Sequence, residues 1–272
     1  MTERTFDQTA DGWDAASDEY TRLFAPFTSL FAKDVIRLCP PRTTDAVLEV
    51  AAGSGALTME LSQRASSVLA TDLSPRMVGR LEETAKAGGY SNIRTAVMDA
   101  QALALADAAY DAVYSMFGVM FFPDRDKAFH EMVRVLKPAG RCVVSSWNTR
   151  SRLLAPVAAA MEKLMPGSPP AQALSAPPAL GEPAEFKPQF ERVGLHEVEV
   201  HEVTYALELP SRDVYVRRFP RANPAGIVMQ KVLPPQAFAA LAAQIEAELA
   251  DEFGDGPIAL QGVANIASGV KR

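Results

Sequence analysis

The stretch Val47-Leu-Glu49-Val-Ala51-Ala-Gly53-Ser54-Gly55-Ala-Leu-Thr58 leads from an apolar strand, through a glycine bend, into a helix. Small residues in such a bend let the backbone approach a bound nucleotide-like ligand closely. The spacing is not Gly-x-Gly-x-x-Gly, because Thr58 stands third after Gly55 and Glu49 lies inside the preceding strand. A carboxylate so near the bend would repel a pyrophosphate. A ligand with a sulfonium and an ammonium tolerates or prefers it. Asp72 closes the next apolar run, where its carboxylate can accept from both hydroxyls of a ribose. Asp99-Ala100-Gln101 follows the run after that, within reach of an adenine. A carboxylate there accepts from the exocyclic amine while a backbone N–H meets the ring nitrogen.

Outward from the bend, short apolar runs recur at residues 47–51, 68–70, 93–97, 112–115 and 142–146. Helix-like segments at 57–64, 74–87 and 127–136 separate them. This alternation implies an α/β fold with a parallel sheet and helices on both faces. Ser74-Pro75 supplies a helix cap and a first-turn proline, and Lys137-Pro138-Ala-Gly140 ends the helix before the fifth strand. Upstream, Tyr20, Phe24, Phe27, Leu30 and Phe31 form an apolar stripe, which Pro26 divides into two helices, one ending near Phe24 and one at Leu38. Downstream, eight prolines from Pro156 to Pro188 suggest irregular chain. Residues 195–209 alternate like a strand, 236–253 read as a helix, and 258–270 as a closing strand.

These features resemble the class I S-adenosylmethionine-dependent methyltransferases, in particular the small-molecule group of ubiquinone- and menaquinone-biosynthesis-type enzymes. The resemblance covers residues 13–147, with weaker echoes at 194–205 and in the final strand. It implies a doubly wound, Rossmann-like, seven-stranded and mostly parallel sheet, with an N-terminal helical lid at 1–40. The α/β core would span 41–150, a Pro-rich substrate-side insertion 151–190, and the elements completing the sheet 191–272. It further implies S-adenosyl-L-methionine as cofactor. Glu49, Ala51, Gly53, Ser54 and Gly55 would cradle the methionine part. Asp72, with Leu73 and Met77, would hold the ribose, and Asp99, Ala100 and Gln101 the adenine. Ser115, Met116 and Phe117, at the end of the fourth strand, would line the methyl-transfer face. The segment His130-Glu-Met-Val-Arg134-Val-Leu-Lys137-Pro138-Ala-Gly140 is similar to the family's helix-to-strand connection. One departure stands at Ala51, where the wider family more often has glycine.

Plainer roles accompany these assignments. The glycines can serve a tight turn alone, Asp72 can cap a helix, Asp99 can be a turn residue, and Ser115–Phe117 can be core. Tyr20, Phe24 and Phe27 are core, or lid residues touching cofactor or substrate, and Met116, Met120, Phe121, Phe122 and Trp147 form a candidate wall for an aromatic or lipophilic acceptor. No general base is identified. His130 lies mid-helix, expected on the side packed against the sheet, and His196 and His201, five apart in a strand, should face opposite ways. The alternatives to a methyltransferase are a nicotinamide-dependent oxidoreductase and a non-catalytic protein that binds the cofactor.

Bulk properties narrow the partners. The net charge of −6, with no basic run longer than Arg217-Arg218 or Lys271-Arg272, argues against nucleic acid and for a small acceptor. The polar, mixed-charge start and an apolar stretch no longer than 112–122 point to a cytoplasmic protein without a membrane span, monomeric or homodimeric. Cys39 and Cys142 have no metal-ligand spacing, and a packed thiol is expected at Cys142. No Asn/Asp-Pro-Pro-aromatic or Pro-Cys motif of the base methyltransferases occurs, and nothing calls for a metal.

Overall fold

A computed structural model describes residues 4–272, so the first three residues of the expected lid lie outside the described residues. Seven strands form one sheet in the order β3-β2-β1-β4-β5-β7-β6. Strands β1 (Ala46–Val50), β2 (Ser67–Asp72), β3 (Ile93–Val97), β4 (Tyr110–Met116) and β5 (Leu136–Trp147) run parallel. Only β7 (Ile258–Lys271) runs against its neighbours, β5 and β6 (Leu195–Leu209). The sheet is thus α/β and mostly parallel, as expected.

Both faces are covered, which is why β1 reads as a nearly continuous apolar run. Val47 packs with Val35 and Ile36 of α2 (Ala25–Leu38) and with Leu61 of α3 (Thr58–Ser62). On the other face Leu48 and Val113 meet Phe129 and Met132 of α5 (Arg125–Val135) and Phe186 and Phe190 of α8 (Pro183–Arg192). The helix α1 (Ala10–Leu23) ends where expected, one residue before α2, and Pro26 stands in the first turn of α2, where its missing N–H costs nothing. The helix α4 (Pro75–Ala87) starts on Ser74, whose hydroxyl accepts from Met77 N–H at 3.0 Å.

Three expectations are corrected. The Pro-rich segment is not irregular: Pro156, Pro169, Pro170 and Pro183 stand in the first turns of helices α6 (Ala155–Leu164), α7 (Pro169–Ser175) and α8, and Pro188 lies inside α8. His130 does not face the sheet; it is exposed on α5, while its neighbours Ala128 and Phe129 are buried. His196 and His201 do not face opposite ways. A bulge between His196 and Glu199, with Glu197 at φ 53°, adds one residue and returns both to the same side as Val270 and Ile266. Further helices α9 (Arg212–Arg218) and α10 (Pro224–Val232) and the long α11 (Pro235–Phe253) complete a cap in which Tyr215, Phe219, Leu241 and Ile245 pack on Phe24 and Phe27. No helix among the described residues is long and apolar enough to cross a membrane.

Candidate functional site

In the order 3-2-1-4-5 the progress of the chain across the sheet switches sides between β1 and β4, and a cleft opens at the carboxyl ends of these strands, where such sheets bind ligands. The bend after β1 forms its floor. Gly53 adopts φ 56°, and an added Cβ there would meet nothing nearer than a Tyr20 ring carbon at 4.0 Å, so the backbone itself faces open space. Gly55 differs: at φ 94° it turns into the protein, with Leu81 and Met59 3.0 Å from where a Cβ would sit. Ala51 has φ 55°, in the region that favours glycine, which gives a physical reason for glycine being commoner there. Phe117, at φ 59°, is likewise held in the left-handed region, at the end of β4.

Asp72 ties the bend to the next helix. Its Oδ2 accepts from Gly53 N–H and its Oδ1 from Ser74 N–H, each at 2.8 Å. Burial pushes its carboxyl above the usual range, although these backbone donors oppose the shift, and Asp14 adds to it. Glu49 is 1% exposed, and its Oε2 accepts from Thr58 Oγ1 at 2.5 Å. Burial pushes Glu49 up to about 8; the Thr58 hydroxyl works against this, and the charge of Asp72 adds to it. Asp99 is held low: burial opposes ionisation, but Gln101 N–H and Nε2 (both 2.9 Å) and Arg4 Nη2 (3.0 Å) outweigh it.

Ala51, Gly53, Asp72, Leu73, Met77, Asp99, Ala100, Gln101, Met116 and Phe117 all line this one cleft, and so do Tyr20 and, from the candidate acceptor wall, Phe121. The other expected residues do not line it. Glu49 and Ser115 are buried beneath the floor, Gly55 turns inward, and Ser54 is 9% exposed outside the wall. Phe24 stacks behind Tyr20 with ring centroids 5.8 Å apart, Phe27 and Trp147 stack behind Phe117, and Met120 packs into the helical cap. Asp7, Gln8 and Trp13 from the N-terminal segment and Met98 beside Asp99, all absent from the expected set, also line the cleft, as do Gly118, Phe122 and Pro123 of the loop after β4, where an apolar acceptor wall is expected. Trp13 carried a readable signal, since it lies two helical turns before Tyr20 and so on the same face; its ring meets Tyr20 edge-on at 5.8 Å and Phe121 at 5.0 Å.

Residues 48–144 match the family described as a methyltransferase domain. That stretch carries a methyltransferase domain, similar to the S-adenosylmethionine-dependent, menaquinone-type enzymes. Among curated relatives, a protein of Mycobacterium tuberculosis is 41% identical over 37% of this chain and 36% of its own length. The demethylmenaquinone methyltransferase of Thermus thermophilus is 40% identical over 36% of this chain and 45% of its own. The chain thus spans less than half the length of these two relatives. A solved structure, a Haemonchus contortus phosphoethanolamine N-methyltransferase bound to S-adenosylhomocysteine, shares the fold, with a TM-score of 0.60, 17% identity, and coverage of 99% of this chain and 60% of that one. The cofactor of this family of domains is S-adenosyl-L-methionine.

The N-terminal segment, with Asp7, Gln8, Trp13 and Tyr20, lies over the cleft. The free space in the cleft is about 80 Å³, whereas ligand pockets usually measure roughly 300–1,000 Å³; admitting an adenosyl ligand is expected to need an outward movement of α1. The fastening is Asp14, which accepts from the Ser74 hydroxyl and from Arg76 N–H (3.0 Å), with Asp18 beside it on Arg76 and Arg80. Hydrogen bonds to a charged group contribute about 1.5–3 kcal/mol. Because this fastening must be released before the ligand enters, Asp14→Ala is expected to speed association of S-adenosylhomocysteine by about 10- to 100-fold. Dissociation should change far less, so the equilibrium affinity should tighten. Stopped-flow tryptophan fluorescence measures both rates, and unchanged rates would show that α1 does not gate the cleft.

Proposed function

We propose that this chain transfers the methyl group of S-adenosyl-L-methionine to a small lipophilic or aromatic molecule. The charge of the cleft carries the reading. Its lining holds three aspartates and no lysine or arginine among the described residues; Arg4 reaches only the outer oxygen of Asp99. Such a site favours a ligand with cationic groups and disfavours the pyrophosphate of a nicotinamide dinucleotide. The bare Gly53 backbone and the carboxylates suit the cofactor: Gly53 and Ala51 would face its methionine part, Asp72 the ribose hydroxyls, and Asp99 the adenine amine.

When bound, the cofactor supplies a methyl group already activated by its sulfonium. What the chain's own residues contribute is alignment and exclusion of water, and good alignment accounts for about 7–11 kcal/mol of such a barrier in favourable cases. Trp13, Tyr20 and Phe121 cover the cleft from the lid side. Burial pushes the Tyr20 hydroxyl up to about 12, partly opposed by Thr28, so it stays a neutral donor rather than a base. The wall where an acceptor would approach is apolar, made by Met116, Phe117, Phe121 and Phe122. One relative is named for demethylmenaquinone, in keeping with an aromatic or lipophilic acceptor. Calorimetric titration with S-adenosyl-L-methionine and with NADH, followed by transfer of labelled methyl into a panel of phenols, quinols and amines, tests the proposal. Binding of the first ligand alone, with label in product, is expected. Binding of NADH alone, or tight cofactor binding without product across the panel, would overturn it.

A further inference from the structure

The two carboxylate oxygens of Asp99 have different partners. Oδ1 accepts from Gln101 N–H and from Gln101 Nε2, both at 2.9 Å. Oδ2, the oxygen left for a ligand, accepts from Arg4 Nη2 at 3.0 Å and, among the described residues, from no other donor. A guanidinium therefore stands where an adenine amine would donate. Gln101 is 6% exposed, so its donors stay with Oδ1, whereas the Arg4 side chain is 43% exposed and has solvent to turn into.

Arg4 is carried there by a built element. Phe6–Gln8 form one 3-10 turn, in which Gln8 N–H donates to Thr5 O at 2.9 Å and Thr5 N–H to Gln8 Oε1 at 3.2 Å. The turn is fixed on α1, because Trp13 Nε1 donates to Asp7 O and the Thr9 hydroxyl to Phe6 O, at 2.9 and 2.8 Å. Gly12 permits this close packing: a Cβ there would lie 1.9 Å from Phe6 O. From α10, Lys231 stands over the Phe6 ring, 5.3 Å from its centre. The same turn brings Asp7 and Gln8 to the cleft.

We propose that Arg4 is an internal competitor of the cofactor, holding the adenine position of Asp99 in the ligand-free chain so that every binding event must evict it. The proposal rests on the reading of Asp99 as the adenine acceptor and adds the residue that sets the affinity there. Arg4 and the adenine amine contest one oxygen, so whatever the ion pair contributes is subtracted from cofactor binding. Pairs this exposed contribute up to about fivefold in an equilibrium constant.

Calorimetric titration of the full-length protein with S-adenosylhomocysteine tests this. That ligand has no net charge, so loss of a distant cation does not by itself attract it. At about 20 mM salt Arg4→Ala should bind it about three- to fivefold more tightly than wild type. At about 1 M salt, where the screening length falls to about 3 Å, the gap should shrink below twofold. In an Asp99→Asn background, where the contested charge is gone, Arg4→Ala should change the affinity by less than twofold. Arg217→Ala, which removes an exposed cation paired with Asp213 outside the cleft, should match wild type. The proposal is overturned if Arg4→Ala binds no more tightly than wild type, or if its gain persists at high salt or in the Asp99→Asn background. An equal gain in Arg217→Ala overturns it as well. Failure of wild type to bind S-adenosylhomocysteine is a separate result that strikes the methyltransferase reading itself.

Discussion

Asp72→Ala is expected to weaken S-adenosylhomocysteine binding by about 100- to 10,000-fold, since two hydrogen bonds from ribose hydroxyls to a carboxylate contribute about 1.5–3 kcal/mol each. The side chain also holds the bend in shape. Without it Gly53 N–H and Ser74 N–H lose their 2.8 Å acceptors, and the backbone that would face the ligand loosens. Removing a desolvated carboxylate relieves some strain in the free protein, so the melting temperature should fall far less than the affinity. Calorimetric titration together with a melting curve separates the two effects. An affinity within fivefold of wild type, in a folded variant, would show that Asp72 does not hold the ribose.

The second large effect concerns Glu49 and pH. Burial raises its carboxyl to about 8 in the folded chain, against an ordinary value of 4.5. Between these two pH values the folded state holds a proton that the unfolded state releases. Stability from this group is therefore complete below about pH 4.5 and lost as pH rises through about 8, at up to about 1.4 kcal/mol per pH unit. Asp72, also raised, contributes in the same direction. Glu49→Gln keeps a partner for the Thr58 hydroxyl but cannot ionise. Its melting temperature in the ligand-free state should match wild type near pH 5 and exceed it by several degrees near pH 8. Scanning calorimetry across pH 5–9 measures the difference, and parallel curves for the two proteins would refute the buried, proton-holding carboxyl.

The parts of this molecule that sequence made legible are those governed by local rules. The bend at Gly53–Gly55, the cap at Ser74 and the break at Pro26 each follow from backbone geometry within a few residues, and each falls in the structure where the sequence places it. Ten of the fourteen expected cofactor residues share one cleft because strand ends in a parallel sheet converge. The other four illustrate what local reading cannot resolve. Glu49 and Ser115 sit on strands, where neighbouring side chains point to opposite faces, and sequence proximity to a wall residue does not put a side chain on the wall. Proline density misled for residues 156–188, because proline opens a helix as readily as it ends one. The bulge at Glu197 reversed the expected facing of the two histidines, and no composition signal marks it. Asp7 and Gln8 reach the cleft only because the lid folds back over it, a long-range contact carried by Asp14 and Asp18 on α4.

The most direct measurement is a crystal structure of the chain with S-adenosylhomocysteine. Both ribose hydroxyls should lie within hydrogen-bond distance of Asp72, the adenine amine should meet Asp99 in place of Arg4, and α1 should be displaced from its present closed position. A ligand bound elsewhere, or bound in this cleft with neither carboxylate touching it, would contradict the account.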